Sequence, residues 1–110
     1  MNQNKPFISI VLPCYNEEVI LKVNLDGIIK YLESKEEKYQ WEIVLIDDGS
    51  KDKNGEIADD FEKRLSNVRT IHHPTNLNLG NALKTGFKNA KGDIIVVMDI
   101  DLSYSVDHIE

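Results

Sequence analysis

The sequence predicts an α/β fold, in the form of a three-layer α/β/α arrangement around a mainly parallel sheet. Four apolar runs of strand length alternate with three longer segments whose apolar residues recur at helical spacing. Strands that alternate with helices in this order are typical of a parallel sheet with helices on both faces.

The first strand and the first helix occupy the N-terminal part of the chain. Residues 7–12 are rich in β-branched side chains and stop at Pro13, which is typical of a buried strand that ends in a loop. The first helix is predicted to start at Asn16, because acidic residues follow it as in the first turn of a helix. Gly27 weakens this helix and indicates a close packing contact. The inward face of the helix is predicted from apolar residues at intervals of four, three and four: Leu21, Leu25, Ile28 and Leu32.

The middle of the chain repeats the pattern twice. Residues 41–46 form the second predicted strand, and residues 68–72 form the third. Between them a helix is predicted over residues 54–65, with four residues facing inward: Ile57, Ala58, Phe61 and Leu65.

The last two elements are a helix over residues 79–91 and a buried strand over residues 94–98. The chain has no internal repeat, low-complexity stretch or linker, so we expect a single unit.

Composition restricts the function classes. The net charge of −6 does not attract nucleic acid or an acidic membrane surface. An acidic protein that binds a phosphorylated ligand needs metal ions or local donors. Cys14 is the only cysteine, so no internal disulfide forms and the cytoplasm is the expected location. The apolar runs are too short to span a bilayer, and membrane association is expected only through a segment after Glu110.

Three polar clusters follow predicted strands, at residues 13–17, 47–50 and 99–103. Ligands of such sheets bind beyond the carboxyl ends of the strands, so the topology predicts that these clusters meet at one edge.

Asp99 and Asp101 directly follow the last apolar run. Alternation sends both carboxylates toward the same side, where like charges repel unless a cation or strong donors neutralise them. A divalent metal that bridges to phosphate oxygens is one interpretation. An ordinary turn that closes the strand is the other.

The second cluster contains two adjacent acids, Asp47 and Asp48. Gly49 fits a turn with positive φ, and Ser50 or Asp52 fits a cap of the next helix. A carboxylate at this position can accept a hydrogen bond from a ribose hydroxyl or a base N–H.

In the first cluster Pro13 fixes the strand exit, and Tyr15 offers a flat ring on which a base could stack. A dinucleotide fold would place a glycine-rich G-x-G-x-x-G turn here, and a nucleotidyltransferase would carry a glycine- and arginine-rich loop. The sequence has neither, and it lacks a P-loop. His72 and His73 are interpreted as a strand exit rather than a pair of metal ligands.

Four segments in this order resemble glycosyltransferase family 2: residues 8–18, 42–52, 76–86 and 90–101. Asp99-Ile100-Asp101-Leu102-Ser103 is similar to the dolichyl- or polyprenyl-phosphate sugar transferase branch of that family.

This resemblance implies the GT-A nucleotide-diphospho-sugar fold. It further implies that Pro13, Tyr15 and Glu17 line the nucleotide pocket, with Asp48 at the base or the ribose. Packing or backbone contacts at the same site are implied for Ile46 and Ile100. Asp99 and Asp101 match the family's D-x-D motif, the implied catalytic and metal-binding pair for Mg²⁺ or Mn²⁺.

The chain departs from the family pattern in two places. Asn78 stands where a glycine is frequent before the third helix, and Leu79 stands where a lysine is frequent. Residues 104–106 replace a proline that is frequent shortly after the D-x-D motif.

The implied reaction is metal-assisted inverting displacement, in which a sugar passes from a UDP- or GDP-sugar to an acceptor such as a polyprenyl phosphate or a growing glycan. We expect residues 1–110 to be the donor-binding part of the catalytic domain, to end soon after the D-x-D motif, and to lack turnover alone. The alternative is a module that binds a nucleotide sugar without transferring it.

Overall fold

The computed structural model describes residues 5–98 of the chain. Four strands and three helices alternate, with these bounds: β1 (Phe7–Cys14), α1 (Glu18–Glu33), β2 (Gln40–Asp47), α2 (Asn54–Arg64), β3 (Val68–His72), α3 (Leu79–Asn89) and β4 (Ile94–Val97). The predicted α/β class and the order of the elements are confirmed.

The four strands form one parallel sheet in the order β3-β2-β1-β4. The chain moves outward from β1 through β2 to β3 and then returns to the other side of β1. The strand order therefore reverses at β1, and a crevice beyond the carboxyl end of this strand is where such sheets bind ligands.

Helices cover both faces of the central strands. One face of β1 and β2 packs with α1 and α2 in a core that includes Ile10, Leu25 and Phe61. The opposite face packs with α3 in a smaller cluster formed by Val11, Val44, Ile46 and Ala82. Since both faces are covered, β1 and β2 are buried at nearly every position, and most of their residues are apolar, as is typical of parallel strands.

Strand β4 differs from the prediction of a buried strand. Ile94, Ile95 and Val97 are between 40% and 48% exposed, whereas Met98, just after the strand, is buried. Within residues 5–98, β4 pairs only with β1 and lies at the edge of the sheet. An apolar run of this length is equally consistent with burial or with an edge, so the sequence pattern did not separate the two.

The amino end of the sheet is held by a buried carboxylate on β2. Glu42 accepts hydrogen bonds from the Ser9 hydroxyl at 2.5 Å, the Lys91 N–H at 2.7 Å and the Arg69 guanidinium at 3.1 Å. Burial alone would raise the pKa of Glu42, but these donors and the charge of Arg69 lower it. The network joins three strands to the segment that leads into β4.

None of the helices within residues 5–98 combines the length and the apolar character needed to cross a membrane.

Two helical glycines have different surroundings. A Cβ on Gly86 would lie 2.3 Å from a methyl carbon of Val11, so this glycine lets α3 approach the sheet closely. A Cβ on Gly27 would meet nothing within 4 Å. The close packing contact predicted at Gly27 is therefore wrong, because this position lies on the exposed side of α1.

We expect Gly86→Ala to lower the free energy of unfolding by about 1–3 kcal/mol, because the added methyl group overpacks the interface with Val11. The matched control Gly27→Ala should raise it by about 0.5–1 kcal/mol, since alanine is the better helix former and has room there. Urea denaturation followed by circular dichroism measures both. Equal effects of the two substitutions would contradict the close helix–sheet approach.

Candidate functional site

The loops that follow β1 and β2 interlock at the carboxyl edge of the sheet. Asn16 has a positive φ of 52°. Its N–H donates to the Ser50 hydroxyl at 2.8 Å, and its side-chain oxygen accepts from the Lys51 N–H at 2.8 Å. The two loops are thereby fixed relative to each other.

The first turn of α1 is capped by the neighbouring loop. The helix N-cap is Glu17 rather than the predicted Asn16, and its side chain does not cap the helix. Instead, the Glu17 N–H donates to the Asn54 side chain at 3.1 Å, and the Glu18 N–H donates to Asp52 at 3.1 Å. The second oxygen of Asp52 accepts from the Asn54 N–H at 2.9 Å, at the start of α2. Asp52 therefore caps the first turn of α1 and also holds the first N–H of α2, whereas the N-cap of α2 is Lys53 and not the predicted Ser50 or Asp52.

The Asp47 carboxylate has a structural role at the carboxyl edge of the sheet. One of its oxygens accepts from the Ser50 N–H and the Asn54 amide, both at 3.2 Å. The other contacts Nδ1 of His72 at 2.8 Å, and Nε2 of the same ring contacts Asp59 at 2.7 Å. Burial alone would lower the pKa of His72, but its hydrogen bonds to the two carboxylates and their charges raise it above the usual value.

Asp48 faces the other side of the sheet, toward α3. Its Oδ1 accepts from the Leu77 N–H at 2.9 Å and contacts Nδ1 of His73 at 2.7 Å. The side chain is only 6% exposed, and the described residues make no hydrogen bond to its Oδ2.

A cleft of about 510 Å³ opens beside Asp48, between the carboxyl ends of the strands and α3. It is lined by residues from β1 and its loop, the loop after β2, the loop before α3, α3 itself and the end of β4: Pro13, Cys14, Tyr15, Glu17, Asp48, Asn76, Asn78, Leu79, Ala82, Leu83, Val97 and Met98. The cleft lies at the point where the strand order reverses.

Four of the sequence-predicted site residues line this cleft: Pro13, Tyr15, Glu17 and Asp48. Ile46 does not line it; this side chain is fully buried beneath the cleft and packs with Ala82. Asp99, Ile100 and Asp101 lie outside the described residues.

Two features of the site did not emerge from the sequence. His73 was interpreted as part of a strand exit, yet it contacts Asp48. Its position directly after β3, with the same parity along the strand as Arg69 and Ile71, was the signal that places it on the α3 face. The segment before α3 also contributes directly, because Asn76 and Asn78 both line the cleft.

Asn78 has the backbone conformation that explains why glycine is frequent at this position. Its φ is 80° and its ψ is 168°, a region that favours glycine. The asparagine offsets part of this strain because its side chain accepts from the Asn81 N–H at 3.1 Å and so caps α3.

The described lining of the cleft is acidic. Glu17 and Asp48 contribute carboxylates, and no lysine, arginine or histidine belongs to the described lining. Within residues 5–98, no three or more histidine, cysteine, aspartate or glutamate side chains are arranged so that they could hold a metal ion. Burial, together with nearby carboxylates, raises the pKa of the Cys14 thiol to about 12, so it stays protonated and is a poor nucleophile.

The parallel sheet with helices on both faces and a cleft where its strand order reverses define a doubly wound α/β class of protein. The family model described as glycosyl transferase family 2 matches residues 9–110. The chain therefore belongs to glycosyltransferase family 2, and the resemblance noted from its motifs is confirmed.

Individual proteins are also similar in sequence to this chain. The chain is 36% identical over 107 residues to a dolichyl-phosphate beta-glucosyltransferase of Trichomonas vaginalis, across 94% of this chain and 33% of the relative. It thus spans about a third of the length of this relative and of a second dolichyl-phosphate beta-glucosyltransferase of the same organism.

Solved structures share the fold. A mannosyltransferase from Pyrobaculum calidifontis, in complex with GDP-Man and Mn²⁺, aligns with a TM-score of 0.74 at 24% identity, over 88% of this chain and 28% of that protein. Residues 1–349 of TarS from S. aureus, in complex with UDP-GlcNAc, align with a TM-score of 0.71 at 25% identity, over 86% and 26%. The GT-A type of fold is confirmed.

Substitutions of Asn78 should separate its backbone strain from its capping bond. Asn78→Ala loses the cap and keeps the unfavourable φ, so we expect it to lower the free energy of unfolding by about 2–4 kcal/mol. Asn78→Gly loses the cap but relieves the strain and should stay within about 1 kcal/mol of the unsubstituted chain. Urea denaturation distinguishes these outcomes, and equal stability of the two variants would contradict the strain.

The raised pKa of His72 predicts that stability falls as the pH rises. The charged imidazole is stabilised by Asp47 and Asp59 in the folded state only. This contribution is complete below the unfolded-state pKa of about 6.5 and is lost as the pH rises through the higher folded-state pKa.

Urea midpoints measured between about pH 6 and pH 8 test this prediction. His72→Asn cannot carry the charge, so its midpoint should vary less with pH than that of the unsubstituted chain. Asp59→Asn removes one of the two carboxylates and should give intermediate behaviour. The prediction fails if His72→Asn shows the same pH dependence as the unsubstituted chain.

Proposed function

We propose that this chain is the donor-binding part of a glycosyltransferase that transfers a sugar from a nucleoside-diphosphate sugar to an acceptor. The observation that carries the proposal is the cleft at the point where the strand order reverses, which is lined by Asp48 and Tyr15. The chain that forms this cleft belongs to glycosyltransferase family 2.

The nucleoside is proposed to bind between Tyr15 and Asp48. The Tyr15 side chain is 39% exposed at the mouth of the cleft, and its ring can stack on a base. Asp48 can accept a hydrogen bond from a base N–H or a ribose hydroxyl through Oδ2, since Oδ1 already has two donors. Glu17 helps to hold the loop in place, because its carboxylate accepts from the Tyr15 N–H at 3.2 Å.

A diphosphate would add negative charge to a cleft whose described lining is already acidic. A divalent cation is the group that would offset this charge, and Asp99 and Asp101 are the residues we propose to hold it, as Mg²⁺ or Mn²⁺. Asp99 follows Met98 in the chain, and Met98 lines the cleft. The Mn²⁺ bound with GDP-Man in the mannosyltransferase of the same fold supports this assignment. Such a cation stabilises the charge that develops on a leaving diphosphate.

The acceptor that we propose is a polyprenyl phosphate, since the relatives of this chain include a dolichyl-phosphate glucosyltransferase. The proposed reaction inverts the anomeric carbon as the nucleoside diphosphate leaves. A phosphate monoester is mostly ionised at neutral pH, so its oxygen can attack without a general base, whereas a glycan hydroxyl needs one. The cytoplasmic side of a membrane is the location that accords with this acceptor.

A module that binds a nucleotide sugar without transferring it is the second candidate. It is favoured by the described lining of the cleft, which offers nucleoside contacts through Tyr15 and Asp48 and contains no lysine, arginine or histidine. For residues 1–110 alone, both candidates predict donor binding without transfer. A transfer assay with labelled UDP-glucose or GDP-mannose and a short polyprenyl phosphate separates them when these residues are tested within the whole catalytic domain: transfer supports the glycosyltransferase, and donor binding without transfer supports the module.

Binding of UDP and GDP should depend on a divalent cation. We expect the affinity of the 110-residue chain for at least one of these nucleotides to rise by about tenfold or more when Mn²⁺ is added, because the cation offsets repulsion between the diphosphate and the acidic cleft. Isothermal titration calorimetry with and without Mn²⁺ measures this change.

The variant Asp101→Ala should abolish the Mn²⁺ dependence. The control Asp60→Ala removes an equally large carboxylate from an exposed ion pair with Arg64 on α2, and it should leave the dependence intact. Binding that needs no cation and is unchanged in Asp101→Ala would exclude the proposed metal pair. If the chain binds neither UDP nor GDP, the proposal that it binds the donor is wrong.

A further inference from the structure

His73 lies directly beneath the proposed nucleoside pocket without lining it. Its side chain is only 8% exposed. Nδ1 lies 2.7 Å from Oδ1 of Asp48, and Nε2 lies 2.8 Å from the hydroxyl oxygen of Thr85 on α3. The His73 N–H also donates to the carbonyl of Asp47 at 2.9 Å, which fixes its backbone against the end of β2.

The direction of each hydrogen bond follows from the chemistry of the partners. A carboxylate only accepts, so Nδ1 carries the hydrogen that Asp48 receives. The Thr85 hydroxyl can donate to the carbonyl of Asn81 at 3.0 Å and accept from Nε2, or it can donate to Nε2. In either arrangement Nδ1–H is left to donate to Asp48.

Other charged groups do not compete for this ring. Among the described residues, 5–98, the charged side chain that contacts the His73 ring is that of Asp48. His72 points to the opposite face of the sheet, where it contacts Asp47 and Asp59. The contact of His73 with a charged group is therefore with the Asp48 carboxylate.

Two donors on one oxygen determine which oxygen of Asp48 is available. The Leu77 N–H and His73 both hold Oδ1, whereas Oδ2 receives no donor from the described residues. We propose that His73 is a positioning residue that fixes the Asp48 carboxylate so that Oδ2 accepts a hydrogen bond from the nucleoside of the donor. This inference rests on the proposed function, because it assumes that the nucleoside binds in this cleft.

The test compares His73→Leu with His73→Asn in calorimetric titrations of UDP and GDP in the presence of Mn²⁺. Leucine removes the donor, and we expect the affinity to fall by about tenfold or more, as for a lost hydrogen bond to a charged group. The asparagine amide can occupy the position of Nδ1–H, so His73→Asn should stay within about threefold of the unsubstituted chain. The neighbouring His72→Asn is the matched control and should leave the affinity unchanged.

A double-mutant cycle separates positioning from a general structural effect. If His73 acts through Asp48, His73→Leu should cause no further loss of affinity in a chain that already carries Asp48→Asn. Equal losses in both backgrounds would overturn the proposal, as would nucleotide binding by folded His73→Leu at full affinity. If the unsubstituted chain binds neither nucleotide, the proposed function fails as well. Circular dichroism confirms that each variant is folded.

Discussion

Strand β2 ends in two adjacent carboxylates, and the alternation of side chains along a strand sends them to opposite faces of the sheet. Asp47 turns toward α2, where Ser50, Asn54 and His72 satisfy it. Asp48 turns toward α3, where Leu77 and His73 hold one of its oxygens. The connections that follow β2 and β3 are shaped by the need to supply these donors, because a buried carboxylate without partners is costly.

The same strand carries a third buried carboxylate at its other end. Glu42, Asp47 and Asp48 are each 5% exposed, and each has at least two hydrogen-bond donors. Glu42 has a full set of donors and lies far from the carboxyl edge, so it contributes to the fold alone. Asp48 keeps one oxygen available beside a cleft. The difference between a structural and a binding carboxylate is therefore visible in how completely its oxygens are satisfied.

The order and type of the elements were largely predictable from the sequence because the spacing of apolar residues distinguishes helices from strands. The apolar runs and the helical spacing located all seven elements, with bounds that differ by at most two residues at each end. The family resemblance implied that Pro13, Tyr15, Glu17 and Asp48 line one pocket, and the topology predicted that the clusters containing them meet at one edge of the sheet. Asp99 and Asp101 remain a prediction from the family motif.

Contacts between loops were not predictable in the same way. The cap that Asp52 provides for α1 joins residues 34 positions apart, and no local pattern encodes it. Gly27 and Gly86 look alike in a helical pattern, although only Gly86 lies against the sheet. His73 was missed because a histidine after a strand has many ordinary roles, and its partner Asp48 is 25 residues away.

The Asp52 carboxylate joins the first turns of two helices. One carboxylate holds the first N–H of α1 and the first N–H of α2, while Asn54 connects the same two helix starts through its own side chain. Fraying of either first turn removes a hydrogen bond from the other. The amide hydrogens of both turns should therefore exchange with solvent as one cooperative unit.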